Sequence, residues 1–212
     1  ELCAYHLPFL WRLSGDLDMA ALRRALSDLI ERHPTLRTSF QMVGDAVVQL
    51  VHLPAPFPLE VEPLAGRDGD GVIDSWLEQE ATTPFDLRSG LLLRARLLRV
   101  AEREHWLLLN HHHIASDGWS VSVLWRDLLA LYNAHRNGTS PELRPLGVHY
   151  QDYAAWQRQR LGGSLLQALK SYWINVLSGL QPLELPGDHP RPATPSYRGE
   201  SVSFQIEREQ LE

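Results

Sequence analysis

Two hydrophobic periods share this chain. Residues 4–13 are rich in Leu, Phe and Trp and run into Ser14-Gly15, which predicts a strand closed by a turn. Asp18 stands where an N-cap belongs. Leu22, Leu26, Leu29 and Ile30 then recur at helical spacing, predicting a helix over 19–32 with one buried face. Pro34 ends it. Residues 36–40 start a strand that Gly44-Asp45 divides from 46–53, the pattern of a hairpin. A proline-rich connection leads to a short strand near 59–61, and 67–71 reads as a polar loop. Ile73, Trp76, Leu77 and Glu80 suggest a short helix.

The second half is more strongly patterned. Residues 91–100 and 106–113 predict two antiparallel strands around the charged turn 101–104. The second is nearly all apolar up to Asn110, which places it inside a sheet. A helix follows over 120–135, striped by Val123, Leu124, Leu128 and Leu131 and stopped by Asn137-Gly138. Further helices are expected over 150–161 and 165–180, separated by Gly162-Gly163. Residues 181–196 hold five prolines and no period, as an extended linker does, and 201–206 read as a last strand. Antiparallel strands mixed with helices, without β-α-β repetition, give an α+β layer and not a doubly wound sheet.

Composition narrows the function. A net charge of −6 with no basic stripe argues against a nucleic-acid surface. No apolar run approaches membrane-spanning length, and the first residues do not read as a signal peptide. Cys3 is the lone cysteine, so no internal disulfide can form. Together these point to a cytoplasmic protein without membrane or nucleic-acid partners.

The chemistry concentrates in His111-His112-His113-Ile114-Ala115-Ser116-Asp117-Gly118-Trp119-Ser120. Imidazoles at a strand end, a carboxylate and a Gly before a helix bring a proton acceptor, an anion and free backbone donors into one turn. Strand alternation puts His111 and His113 on one face and His112 on the other. Gly118 is expected to permit the tight exit, with the helix starting near Trp119 or Ser120. Three simpler readings compete. The histidines can be polar strand-end residues bonded to backbone. His111 and His113 have the spacing of a strand metal-ligand pair, although His33, His105, His149 and Asp117 give no helpful spacing for the rest, so no metal is expected. An enzyme nucleophile fits worse, because Ser116 lacks the glycines of a nucleophile elbow and no phosphate-binding glycine loop is present.

The run His112–Ser120 resembles the HHxxxDGWS signature of the condensation domains of nonribosomal peptide synthetases, within the chloramphenicol-acetyltransferase-like superfamily. Arg32-His33-Pro34-Thr35-Leu36-Arg37-Thr38-Ser39-Phe40 is similar to that family's RHxxLRTxF motif. Tyr150-Gln151-Asp152-Tyr153-Ala154-Ala155-Trp156-Gln157 is similar to its YxDYAxWQ motif. Phe85-Asp86-Leu87 with Arg88-Ser89-Gly90, Ser171-Tyr172-Trp173 and Asp188-His189-Pro190-Arg191-Pro192 extend the likeness in the right order. The family's opening SxAQxRLW segment and its second lobe are missing. His111 stands where the family often has Met or another apolar residue, and is expected to be tolerated without a catalytic part.

The resemblance implies an N-terminal lobe over 1–180, then an inter-lobe linker and the first strand of a truncated C-terminal lobe over 181–212. It implies amide-bond formation between donor and acceptor thioesters on the 4′-phosphopantetheine arms of two carrier proteins, with no intrinsic cofactor. An adjacent adenylation domain and the second lobe are the other implied partners, and the lobe alone is expected to be inactive. His113 would accept a proton from the acceptor amine or hold it in line, and the helix-start N–H near Gly118 would stabilise the oxyanion. Asp117 would be a buried structural anion paired with Arg37, or failing that with Arg32, and its loss would misfold the chain. His112 would steady the strand. Trp119 and Ser120 are candidates for the substrate tunnel, although Trp119 and Trp156 read first as packing residues. Tyr150 and Asp152 read as capping and packing residues. An epimerisation domain usually lacks the Trp-Ser found here, heterocyclisation domains replace the histidines with aspartates, and inactive recruiting relatives have a degraded motif. An epimerisation domain or a related CoA- or carrier-dependent acyltransferase, a non-catalytic carrier-docking module and, more remotely, a metal hydrolase are the alternatives.

Overall fold

The computed structural model describes residues 3–64, 69–184, 186–187, 189–190, 193–194, 202 and 204–207. They divide into two compact units, 1–162 and 163–212. In the first, strand β1 (His6–Ser14) leads to helix α1 (Met19–Arg32), a 3-10 turn (Pro34–Arg37), and the hairpin β2 (Thr38–Val43) and β3 (Ala46–Val51). Strand β4 (Glu60–Pro63), helix α2 (Gly69–Thr82), strands β5 (Leu93–Ala101) and β6 (Glu104–His112), and helices α3 (Gly118–Asn137) and α4 (Tyr150–Arg160) follow.

The main sheet has the order β1-β6-β5-β4, antiparallel except for the β4–β5 pair, which is parallel. β6 is interior, paired with β1 from His6↔His112 to Ser14↔Glu104. Its centre is the continuous run Leu107-Leu108-Leu109 because both faces of the sheet are covered there. Leu97, Leu107 and Leu109 face the α1–α3 layer, where Leu22, Leu26, Leu29, Leu128 and Leu131 complete the larger core. Leu98 and Leu108 point the other way, against Val72, Ile73 and Trp76 of α2. Each buried Leu contributes roughly 1.5–3 kcal/mol.

Polar groups pin the layers. The α2 residue Glu80 accepts from Arg94 Nε and Asn110 Nδ2, both at 2.8 Å, and its carbonyl accepts from His6 Nδ1 at 2.9 Å. One helical turn is thereby tied to three strands. Between α1 and α3, the buried Asp127 carboxylate accepts from Arg32 Nε at 2.8 Å and His33 Nε2 at 3.0 Å. Asp18 caps α1 through Ala21 N, as its position in the sequence predicts.

Several sequence expectations shift. The short helix at 73–80 extends to Gly69–Thr82, and part of the 67–71 loop lies outside the described residues. Residues 36 and 37 belong to the 3-10 turn before β2, because Pro34 at its start favours a tight turn over extension. Unit two carries α5 (Gly163–Val176), which starts two residues earlier and ends four residues earlier than its pattern suggests, short of a turn whose Gly179 lies in the left-handed region (φ 76°). The units divide at the Gly162-Gly163 pair, whereas the lobe–linker boundary read at 180/181 lies within the second unit. The strand expected over 201–206 is absent at 202 and 204–206, where no hydrogen-bonded neighbour forms a ladder; 201 and 203 lie outside the described residues.

Candidate active site

β6 ends at His112, and the chain turns through His113, Ile114 and Ala115 before Asp117 caps α3. His113 N donates to the Tyr5 carbonyl at 2.8 Å and His112 N to the Leu92 carbonyl at 3.2 Å. Backbone anchoring on both sides therefore presents the exposed His113 side chain at the sheet's end. Because it lies in a turn, it does not share a strand face with His111.

Two grooves meet at this residue. The larger, about 630 Å³, is walled by Tyr5, His6, Pro84, Phe85, Leu87, His112 and Ile114 along with His113. The smaller, about 170 Å³, runs from His113 through Ser116 and Asp117 to Thr35, Ser120 and Tyr150. Ser120 lines the smaller groove. Trp119 and Gly118 line neither. Trp119 is 83% exposed, so the packing expected of it is not made among the described residues; the first turn of α3 projects it outward. Trp156 is also largely exposed, beside Tyr153 and Arg160. Asp152 does cap α4, accepting from His149 N at 2.9 Å.

The expected Asp117–Arg37 pair does not form. Asp117 is exposed, and its Oδ1 accepts from Ser120 N at 2.9 Å and Ser120 Oγ at 2.6 Å; these bonds hold its pKa below the ordinary carboxylate value. Arg37 donates to the carbonyls of Ile30, Glu31 and His52. The reason is the helix termini. Asp117 satisfies orphan N–H at the start of α3, and Arg37 satisfies orphan C=O at the end of α1. Arg32 pairs with Asp127, a buried anion that the sequence reading passed over. Its signal was a lone Asp inside the apolar stripe of α3, next to Leu128.

Gly118 is not demanded by backbone geometry. Its φ is not positive, and a Cβ there would meet nothing within 4 Å. His111 is buried, stacked on Phe9 with ring centroids 5.5 Å apart, and its Nε2 is unpaired. Burial, aided by His113, pushes its pKa down to about 4, so it is a neutral packing residue. Of the residues a metal reading would enlist, His33 is committed to Asp127, and His105 lies at the far end of β6. Among the described residues no group of three His, Cys, Asp or Glu is arranged to hold a metal ion, and no helix is long and apolar enough to cross a membrane.

This architecture is the condensation-domain, chloramphenicol-acetyltransferase-like fold. The X-domain from teicoplanin biosynthesis matches it with a TM-score of 0.80 at 38% identity, over 92% of this chain and 43% of that one. The epimerization domain from the third module of tyrocidine synthetase B shares the fold at 20% identity, with a TM-score of 0.78 over 89% of this chain and 42% of its own. The Condensation domain family matches residues 2–212, and the chain belongs to that family. Chondramide synthase cmdD of Chondromyces crocatus is 41% identical over 208 residues, covering 97% of this chain and 5% of that protein. Malpinin synthetase of Mortierella alpina is 41% identical over 202 residues, 94% of this chain and 3% of that protein. The chain therefore spans a few per cent of these synthetases and under half of the solved domains.

Proposed function

We propose that this chain supplies the histidine-bearing part of a domain that joins a donor acyl thioester to an acceptor aminoacyl thioester, each on the 4′-phosphopantetheine arm of a carrier protein. The observation supporting this most directly is the exposed His113 imidazole bordering both grooves, so that reactants entering by each would meet at one ring. The acceptor nitrogen attacks the thioester carbon, the C–N bond forms and the C–S bond breaks. The proton lost by the amine ends on the leaving thiolate. His113 carries that proton or holds the amine in line while tethering supplies proximity. No further cofactor enters this reading. The second lobe and an adenylation domain are its other partners, the cytoplasm its compartment, and the chain alone is expected to form no product.

The test is His113→Ala in the full-length protein, with both carriers loaded and the condensed product followed by mass spectrometry. The expected result is a folded protein with product formation lowered about 10²–10⁴-fold. Unchanged product formation would overturn the reading. It would favour a non-catalytic docking module, an alternative that gains some weight from the 38% identity to an X-domain solved in complex with OxyB.

A further inference from the structure

The hydrogen bonds of His112 give the two ends of its imidazole different tasks. Nδ1 accepts from the backbone N–H of Ile114 at 3.0 Å. An N–H donates only to a lone pair, so Nδ1 carries no proton and the ring hydrogen sits on Nε2. Burial, reinforced by His6 and His113, lowers the pKa of the ring, and this neutral tautomer persists at pH 7. The ring is held on several sides: Phe85 meets it edge-on at 5.9 Å, His6 lies at 6.1 Å and Tyr5 at 6.2 Å. No hydrogen bond joins the two imidazoles; His6 donates its own Nδ1–H to the Glu80 carbonyl. His112 Nε2 has no partner among the described residues. Unlike the buried, unpaired His111 Nε2, it keeps solvent access, and the ring that carries it helps to wall the larger groove. Gly118, the expected oxyanion donor, lines neither groove.

We propose that the His112 Nε2–H is the hydrogen-bond donor of the larger groove and that it binds the carbonyl oxygen of an uncharged acyl substrate. This rests on the amide-forming reading above and divides the work: His113 acts at the amine, His112 at the carbonyl. As the amine nitrogen attacks, the carbonyl oxygen gains negative charge and the Nε2–H···O bond strengthens without giving up its proton. When the C–S bond breaks, the oxygen returns to a carbonyl and the thiolate takes the amine's proton. A neutral imidazole held in one tautomer suits this electrophilic task. The walls beside it, Tyr5, Pro84, Phe85 and Leu87, are apolar or aromatic and fit an uncharged acyl chain.

Asparagine and glutamine separate the two ends of the ring. His112→Asn sets an amide oxygen near the Nδ1 position and leaves nothing at Nε2. His112→Gln reaches the Nε2 position with an amide N–H but abandons Ile114. In the full-length protein, Asn is expected to melt within about 2 °C of wild type, with kcat for condensation lowered about 10²-fold and KM for loaded carriers little changed. Gln is expected to melt lower than Asn yet turn over faster. An Asn variant within about twofold of wild-type kcat, or a Gln variant no faster than Asn, would overturn the assignment. Infrared difference spectra of a bound ¹³C-carbonyl acyl-pantetheine thioester give a readout free of turnover. The carbonyl stretch should lie at lower frequency in wild type than in His112→Asn, and equal frequencies would refute the donor. A wild-type protein that shifts the carbonyl yet makes no amide would sink the amide-forming reading and leave the donor standing.

Discussion

Replacing Asp127 with Ala tests where this fold keeps its buried charge. The Asp127 side chain is 0% exposed, and both oxygens are engaged. Oδ2 takes the bonds from Arg32 and His33, and Oδ1 takes two from Arg126, at 3.1 and 2.9 Å. Arg126 is mostly exposed, so its share is small. Arg32 and His33 are largely buried, and with the carboxylate gone Arg32 keeps only the Arg144 carbonyl while the His33 Nε2–H keeps no acceptor. Removing one member of such a cluster costs about 3–5 kcal/mol. At about 2–4 °C per kcal/mol for a unit of this size, melting should fall by roughly 6–20 °C. The acid limb carries a second signature. Burial opposes ionisation of Asp127, but the hydrogen bonds from Arg32, Arg126 and His33 outweigh it and hold its pKa below the ordinary value. Burial chiefly lowers the pKa of His33, which serves as a neutral donor. For both groups the unfolded chain binds more protons than the folded one, so stability rises with pH. It is fully present above about pH 6.5 and is lost as pH falls through the lowered pKa values. Thermal melts of wild type and Asp127→Ala at pH 7, and urea melts from pH 7 to 3, measure both effects. A variant melting within about 2 °C of wild type, with an unchanged acid limb, would refute the assignment of this carboxylate as the structural anion.

Asp117→Ala should lower the melting temperature by much less than Asp127→Ala, since it removes an exposed cap and strands no buried cation; a larger drop than Asp127→Ala would contradict this. His111→Leu should stay folded at pH 7 and flatten the pH dependence of stability between about 6.5 and 4. There the wild type loses up to roughly 3 kcal/mol as the unfolded imidazole protonates before the folded one, and urea melts at pH 7 and 5 check the difference. Gly118→Ala should keep or slightly raise stability, whereas Gly90→Ala should lower it by more than about 1 kcal/mol. Gly90 has a φ of 85°, and a Cβ there runs into the His52 ring; equal melting of the two variants would count against this.

How much of the site was legible follows from the range of each interaction. The HHxxxDG run, the strand before it and the helix after it are local in sequence, so period and motif located them. The Asp18 and Asp152 caps reach three residues, and composition marks them just as well. Asp117 was misread for the same reason reversed. Its carboxylate is spent on Ser120, three residues on, and no long-range partner is left to find. The Asp127 cluster joins residues about a hundred positions apart, and the Glu80 network brings a helix against three strands. Neither leaves a trace in a local pattern beyond one polar residue in an apolar stripe.

Hydrophobic period, caps and motifs were enough to set the elements and the family, because they act over a few residues and survive without the rest of the fold. Which charges pair, which histidine faces a groove and which ring nitrogen keeps its proton were left to the folded chain. Those outcomes depend on distance and burial, and packing sets both after distant segments have met.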